Sequence, residues 1–237
     1  MCGRFVLSGK KDEVEEEFEV ELVEDFPPRH NIAPTQPILV MLDEFGHRTG
    51  RLMRWGLVPG WVKDPREFPL LVNARAETMA EKPAFRDALA HGRCIVPASG
   101  YYEWQAGPDK RKQPYFISRA DGRPLALAGL YTIWAGPNGE EVDTVATITV
   151  AANRQMATIH DRMPAILDTG DFDTWLDVRG VRVEEALRLI HPLREDVLQF
   201  HPVSSRVNSA NIDEPSLIVP VTPDRPPRPA PRQMDLF

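Results

Sequence analysis

From Arg93 onward, turn-forming residues break the chain every few positions, and the stretches between them are short and rich in β-branched or aromatic side chains. RCIVPAS, GYYEWQ, QPYFIS, LALAGLYTIW and VATITVAA follow one another in this way. This part of the chain therefore reads mostly as strand. VEEALRLIH reads as a short helix, and LQFHPVS and SLIVPV as closing strands. With 237 residues and 42% apolar side chains, the chain can bury one sizeable core, or at most two small ones, without staples.

The first ninety residues are more mixed. Val14, Phe18 and Leu22 recur at four-residue spacing in an acidic stretch, which predicts an amphipathic helix with a solvated acidic face. Ser8 or Asp12 would start it. A Pro-punctuated loop, DFPPRHNIAPTQP, leads to a strand, ILVML. The turn residues of DEFGHRTG then suggest a hairpin into RLMRWGLVP, and PLLVN is a further strand. Thr78 and Glu81 have capping-box spacing for a helix over residues 83–90, ended by Gly92. No repeat of solenoid period is present.

The net charge of −7 speaks against a nucleic-acid partner only until its distribution is examined. Residues 11–25 hold nine acids and one lysine, so the rest of the chain sums to about +1. Residues 51–112 carry eleven basic and seven acidic side chains. There is no apolar run of membrane-spanning length and no apolar signal segment at the start. Cys2 and Cys94 do not make a disulfide framework, and Cys94 reads as a buried strand residue. The expected location is the cytoplasm.

Cys2 is the sharpest chemical feature. Aminopeptidases remove Met1 when the second residue is small. Cys2 would then present an α-amine and a thiol two carbons apart. An α-amine has a pKa near 7.7–8.0, against ~10.4 for lysine, so far more of it is neutral and able to attack a carbonyl. With an aldehyde it would give a Schiff base, and the adjacent thiol could close a five-membered thiazolidine. Intramolecular closure is favoured by effective molarities of ~10⁵ M and above. The plain alternative is a small second residue with no chemistry. Gly3 and Arg4 beside it would allow close backbone approach and phosphate contact.

Three further clusters carry polar groups. In NARAET, Asn73 and Arg75 alternate with alanines and would share a strand face. In PASGYYEWQ, Glu103 lies between Tyr102 and Trp104, and as a buried acid it would serve as a general acid. In HDRMP, His160 occupies a loop beside Arg162, where it could move protons or meet phosphate. Each has an ordinary surface reading as its alternative. In RLMRWGLVPGWVK, Trp61 reads as exposed and Trp55 as core, with Arg54 and Lys63 near phosphates. No zinc-ligand spacing, Walker loop or dinucleotide fingerprint is present, so no metal or cofactor is implied.

Taken together, MCGRF, NIAP, RWGLVPGW, NARAET, RCIVPASGYYEW and HDRMPAIL resemble, in this order, the SRAP (SOS response-associated peptidase) family over residues 2–221. The resemblance implies an α+β domain around a twisted, barrel-like, mostly antiparallel sheet with flanking helices. It also implies covalent capture of abasic sites in single-stranded DNA by the N-terminal cysteine, protecting the lesion during replication and repair. Carried over residue by residue, Cys2 is the nucleophile and Asn73 orients it. Arg75 holds the neighbouring phosphate, Glu103 assists proton transfer, and His160 helps open the sugar. Arg4 and Arg162 match phosphate contacts. Pro34, Trp61, Trp104 and Thr149 match positions lining the DNA groove. Relatives can carry two tryptophans where this chain has Trp61 and Val62, which weakens stacking there. A monomer with no membrane partner is expected.

Composition changes at Thr222. TPDRPPRPAPR reads as a disordered Pro/Arg-rich linker over 222–232, reaching about 34 Å if extended. The final QMDLF, residues 233–237, resembles a bacterial sliding-clamp-binding peptide, with Gln233 docking its amide and Leu236 and Phe237 filling an apolar pocket. Two alternatives remain for the main domain. One is an N-terminal-nucleophile peptidase or amidohydrolase using the Cys2 thiol. The other is a non-covalent single-stranded-DNA module tethered to the clamp.

Overall fold

The computed structural model describes residues 2–22, 25–107 and 112–223. The strands are β1 (Phe5–Leu7), β2 (Glu21–Leu22), β3 (Arg29–Ile32), β4 (Pro37–Glu44), β5 (His47–Trp55), β6 (Asn73–Arg75), β7 (Arg93–Ala98), β8 (Gly100–Ala106), β9 (Lys112–Arg119), β10 (Leu125–Ala135), β11 (Glu141–Ala151), β12 (Arg162–Pro164) and β13 (Leu198–Pro202). The helices are short: α1 (Lys11–Phe18), α2 (Ala76–Met79), α3 (Pro83–His91), α4 (Phe172–Leu176) and α5 (Val183–Ala186). The linker and the QMDLF peptide lie outside the described residues.

Five strands close into a barrel. β11, β10, β7, β4 and β5 are neighbours in that order, all antiparallel. The ring shuts where β5 meets β11 in parallel, Arg54 opposite Thr144 and Trp55 opposite Val145. β6 continues the parallel edge along β11, with Asn73 opposite Thr147 and Arg75 opposite Thr149. A barrel strand with α3 and α4 packed outside it has no solvated face, and β7 is buried at all six positions.

The second sheet runs β13, β9, β8, β1, β3. β1 lies inside it, antiparallel to both β8 and β3, with Phe5 opposite Tyr101 and Ile32. Its position places Cys2 inside the protein rather than on its surface. The Phe5 ring meets Trp55 edge-on at 5.1 Å, which joins the second sheet to the barrel. Val203, Val207 and Leu217 cover Val6, Tyr102 and Phe116 on the sheet's other face.

Gly92 shows why one turn needs glycine. It ends α3 with φ −138°, a conformation open to any residue, but an added Cβ would lie 2.2 Å from the Tyr131 carbonyl oxygen. Close approach, not backbone handedness, excludes a side chain here.

Several local expectations are corrected. Neither Ser8 nor Asp12 caps α1. Lys10 is the N-cap residue, and the Glu13 carboxylate accepts its backbone N–H at 3.0 Å. Leu22 is not on the helix. Glu19 turns the chain with φ 49°, and Leu22 pairs with β5 as a strand. Thr78 falls in α2, and α3 starts instead at Pro83, whose missing N–H suits a first helical position. PLLVN is not a strand. The ladder begins at Asn73, and Leu71 makes only an isolated bridge to Leu57. SLIVPV is a 3₁₀ turn over Pro215–Ile218, where Pro215 cannot donate to a ladder and Leu217 is buried. VEEALRLIH splits into α5 and a 3₁₀ turn at Leu187–Leu189.

Candidate functional site around the N-terminal cysteine

Three elements converge on Cys2. The residue is fully buried just ahead of β1. From β6, Asn73 Nδ2 donates to the Cys2 carbonyl at 2.9 Å. From β11, the Thr147 hydroxyl donates to Asn73 Oδ1 at 2.7 Å. From β8, the Glu103 carboxylate acts electrostatically on the Cys2 thiol and on Tyr101. Burial, reinforced by the Glu103 carboxylate, pushes the Cys2 thiol up to about 12. Burial likewise pushes Tyr101 well above the ordinary phenol value.

Glu103 is buried in β8. His160 faces it with Nε2 at 4.0 Å from Oε1. The histidine follows a 3₁₀ turn, Met156–Thr158, which the Gln105 side chain ties to β8 through the Thr158 carbonyl at 2.6 Å. The Arg162 backbone N–H donates to His160 Nδ1 at 3.0 Å. Asp161 Oδ1 also lies 2.8 Å from Nδ1, and a single nitrogen cannot accept from one and donate to the other at once. With Nδ1 accepting from Arg162, the neutral ring carries its proton on Nε2, toward Glu103. Asp161 becomes the Nδ1 partner when the ring is doubly protonated.

Glu103, Trp104, Lys112, His160 and Asn208 line an open cleft of about 570 Å³. The Trp104 indole N–H donates to Asn208 Oδ1 at 2.8 Å, which fixes the ring at the cleft wall. Arg4 is half-buried and donates to Asn31 Oδ1, the Val207 carbonyl and the Asn208 carbonyl at 2.7, 2.8 and 3.2 Å. These three bonds leave donors of its five over for a ligand.

Arg75 is exposed and shares a face of β6 with Asn73. Thr149, opposite Arg75, is fully buried and lies under Arg162, whose Nη2 reaches its hydroxyl at 3.2 Å. Arg162 also forks Glu77. Pro34 is half-buried beside Thr35, which holds a left-handed φ of 74°. Trp61 stands apart from the cleft, 61% exposed and edge-on to Phe68. Val62 beside it is buried against Trp134. Thus Cys2, Asn73, Glu103, His160 and Trp104 are brought together, Arg4, Arg75, Thr149 and Arg162 lie on the elements that frame them, and Trp61 belongs to a satellite cluster.

Sequence reasoning missed Thr147, Asn31 and Asn208. Strand alternation in TITV would have put Thr147 on one face with Thr149. Asn31 and Asn208 carried no periodic signal. Among the described residues no group of three His, Cys, Asp or Glu side chains is placed to hold a metal ion, and no helix is long and apolar enough to cross a membrane.

A five-stranded barrel with a second sheet that buries Cys2 near a cleft lined by Glu103, Trp104, Lys112, His160 and Asn208 defines an α+β domain built around its second residue. The chain belongs to the SOS response associated peptidase (SRAP) family, whose sequence profile matches residues 1–210. It is 40% identical over 222 residues to the abasic site processing protein YoqW of Bacillus subtilis (strain 168), covering 92% of this chain and 99% of that one. It is 35% identical over 227 residues to the abasic site processing protein HMCES of Xenopus tropicalis, covering 83% and 67%. A solved structure from Bacteroides thetaiotaomicron superposes with a TM-score of 0.82 at 25% identity, over 93% of this chain and all of the other.

Proposed function

We propose that this chain processes abasic sites in single-stranded DNA by capturing them covalently at Cys2 once Met1 is removed, by an aminopeptidase or by the protein itself. The observation that carries this reading is the Asn73 bond to the Cys2 carbonyl, made beside the Glu103–His160 pair. It holds the aminothiol end of the chain still, next to two groups that can move protons. The names of the relatives support the substrate class.

The chemistry balances without a cofactor. Doubly protonated, with Asp161 as its Nδ1 partner, His160 gives its Nε2 proton to the sugar ring oxygen as the ring C–O bond breaks, while the Glu103 carboxylate takes the anomeric hydroxyl proton and the aldehyde C=O forms. The neutral Cys2 amine then adds to that carbonyl carbon. The carbinolamine loses its oxygen as water, with Glu103 supplying and recovering the proton, and an imine remains. The Cys2 S–H adds across the C=N bond: sulfur bonds to carbon, and the thiol proton ends on nitrogen. The ring contains sulfur, the former aldehyde carbon, nitrogen, Cα and Cβ. Arg4, Arg75 and Arg162 would meet phosphates, while Trp104 at the cleft wall shapes the strand's path; Thr149, fully buried, acts only by supporting Arg162. Such contacts read backbone and shape, so sequence preference is slight.

A thiol pushed up to about 12 stays protonated at neutral pH, which suits late addition to an imine. A peptidase nucleophile needs the opposite, a lowered thiol pKa. Intact mass spectrometry tests the reading. The purified protein should lack Met1, and its adduct with an abasic oligonucleotide should equal the two masses less one water. Retained Met1, or an adduct without water loss, would contradict it.

A further inference from the structure

Asn73 and Thr147 are register partners on adjacent parallel strands, so their side chains leave the same face and must meet. The Cys2 carbonyl can only accept, so the Asn73 group facing it at 2.9 Å must be the NH₂. That places Oδ1 against the Thr147 hydroxyl, which must therefore donate to it. The hydroxyl has a single hydrogen, and its other acceptor within reach is the Val72 carbonyl at 3.5 Å. That carbonyl already accepts from the Thr147 backbone N–H and the Trp55 indole, both at 3.1 Å. The hydroxyl proton therefore goes to Asn73. Thr147 is fully buried, away from bulk water.

We infer that Thr147 is a positioning residue for the Cys2 chemistry: its hydroxyl holds the Asn73 amide in the one orientation that grips the Cys2 carbonyl. The inference rests on the proposed function for its consequence, though not for its geometry. Without the hydroxyl, Asn73 Oδ1 loses its donor. The amide can then rotate and set two carbonyl oxygens against each other. The Cys2 amine and thiol lose their fixed approach, while the exposed residues that would bind DNA are untouched.

The test compares the wild type with Thr147→Val, Thr147→Ala and Thr147→Ser, each shown to lack Met1 by intact mass and to be folded by its melting curve. Crosslinking is timed at saturating abasic oligonucleotide, and affinity for the intact oligonucleotide is measured separately. The Val and Ala variants should crosslink about tenfold more slowly with unchanged affinity, and the Ser variant should recover the wild-type rate. A second arm needs no DNA. Hydrogen exchange of the Asn73 side-chain amide, followed by NMR, should be slow in the wild type and the Ser variant and fast in the other two. Wild-type crosslinking by the Val or Ala variant, or equal amide protection in all four proteins, overturns the inference. A wild type that never crosslinks overturns the proposed function instead, and the amide arm then decides the role of Thr147 alone.

Discussion

Arg162 binds both carboxylate oxygens of Glu77, at 2.6 and 2.9 Å, while its own backbone N–H sets the tautomer of His160. One residue thus links a surface ion pair to His160. It also means that the Arg162 guanidinium, matched by resemblance to a phosphate contact, is occupied by a carboxylate in the free protein.

Glu77→Gln should therefore strengthen binding to intact single-stranded DNA and steepen its salt dependence. Freeing one cation for phosphate adds about 0.7 to the slope of log K against log salt for a single strand. Fluorescence anisotropy across a salt series reads this directly. An unchanged slope would mean that Arg162 never meets a phosphate. The hydrogen bond from Arg162 also holds the Glu77 carboxyl below its usual range. A depressed acid contributes stability above its unfolded value, lost as pH falls through the folded one. Acid unfolding should thus begin at a slightly higher pH once Arg162 is replaced by Leu.

Arg93 should prove the costliest charged residue to replace. It is buried in β7 and donates to the carbonyls of Trp175, Leu89, Asp177 and Val181 at 2.7, 3.2, 2.6 and 3.0 Å. Arg93→Met would orphan acceptors from three segments outside the barrel, at a cost on the order of 3 kcal/mol or more. Lysine, a point charge with three donors, should rescue little of it. Urea denaturation measures both, and a loss below ~1 kcal/mol for Arg93→Met would contradict the assignment.

The pH behaviour of Cys2 follows from its burial. Its thiol is raised from an ordinary 9.0 to about 12. Alkylation of Cys2 by iodoacetamide, read by intact mass, should be slow at neutral pH, and crosslinking should rise with pH through the amine pKa near 7.7–8.0. Rapid alkylation at neutral pH would favour a thiolate nucleophile and hence the peptidase reading. The same shift has a stability sign. A raised folded value gives stability that is complete below about pH 9 and lost as pH rises toward about 12. Cys94, also raised by burial alone, adds to this alkaline loss.

The tail can be tested apart from the domain. Deleting residues 233–237, with Gln233, Leu236 and Phe237, should abolish binding to a bacterial sliding clamp and leave DNA crosslinking intact. Equal clamp binding by the truncated protein would refute that role for the peptide.

Much of the fold was legible because the second half of the chain obeys local rules. β7 to β11 are runs rich in β-branched and aromatic residues divided by turn residues, so their limits could be read within a residue or two, except the start of β11, which lies four residues earlier than expected, at Glu141. The first half was harder. Phe18 and Leu22 keep helical spacing, yet a left-handed Glu19 sends Leu22 into a sheet whose partner is some thirty residues away. No local pattern reports such a pairing. At the site, residue type and spacing singled out Cys2, Asn73, Glu103 and His160, and the fold joins them in one cluster, with Glu103 and His160 lining the cleft and Cys2 buried with Asn73 on its carbonyl. Thr147 and Asn31 could not be weighted in advance. Their importance comes from which groups they face across the sheet, and one sequence does not show that.

The central claim is most directly tested on a denaturing gel. The Met1-free protein is mixed with a single-stranded oligonucleotide carrying one abasic site, beside an intact oligonucleotide and a Cys2→Ala protein. The account predicts a shifted band that survives heat and detergent, requires the abasic site and disappears with the cysteine. No such band from protein shown to begin at Cys2, or an equal band from Cys2→Ala, would contradict it.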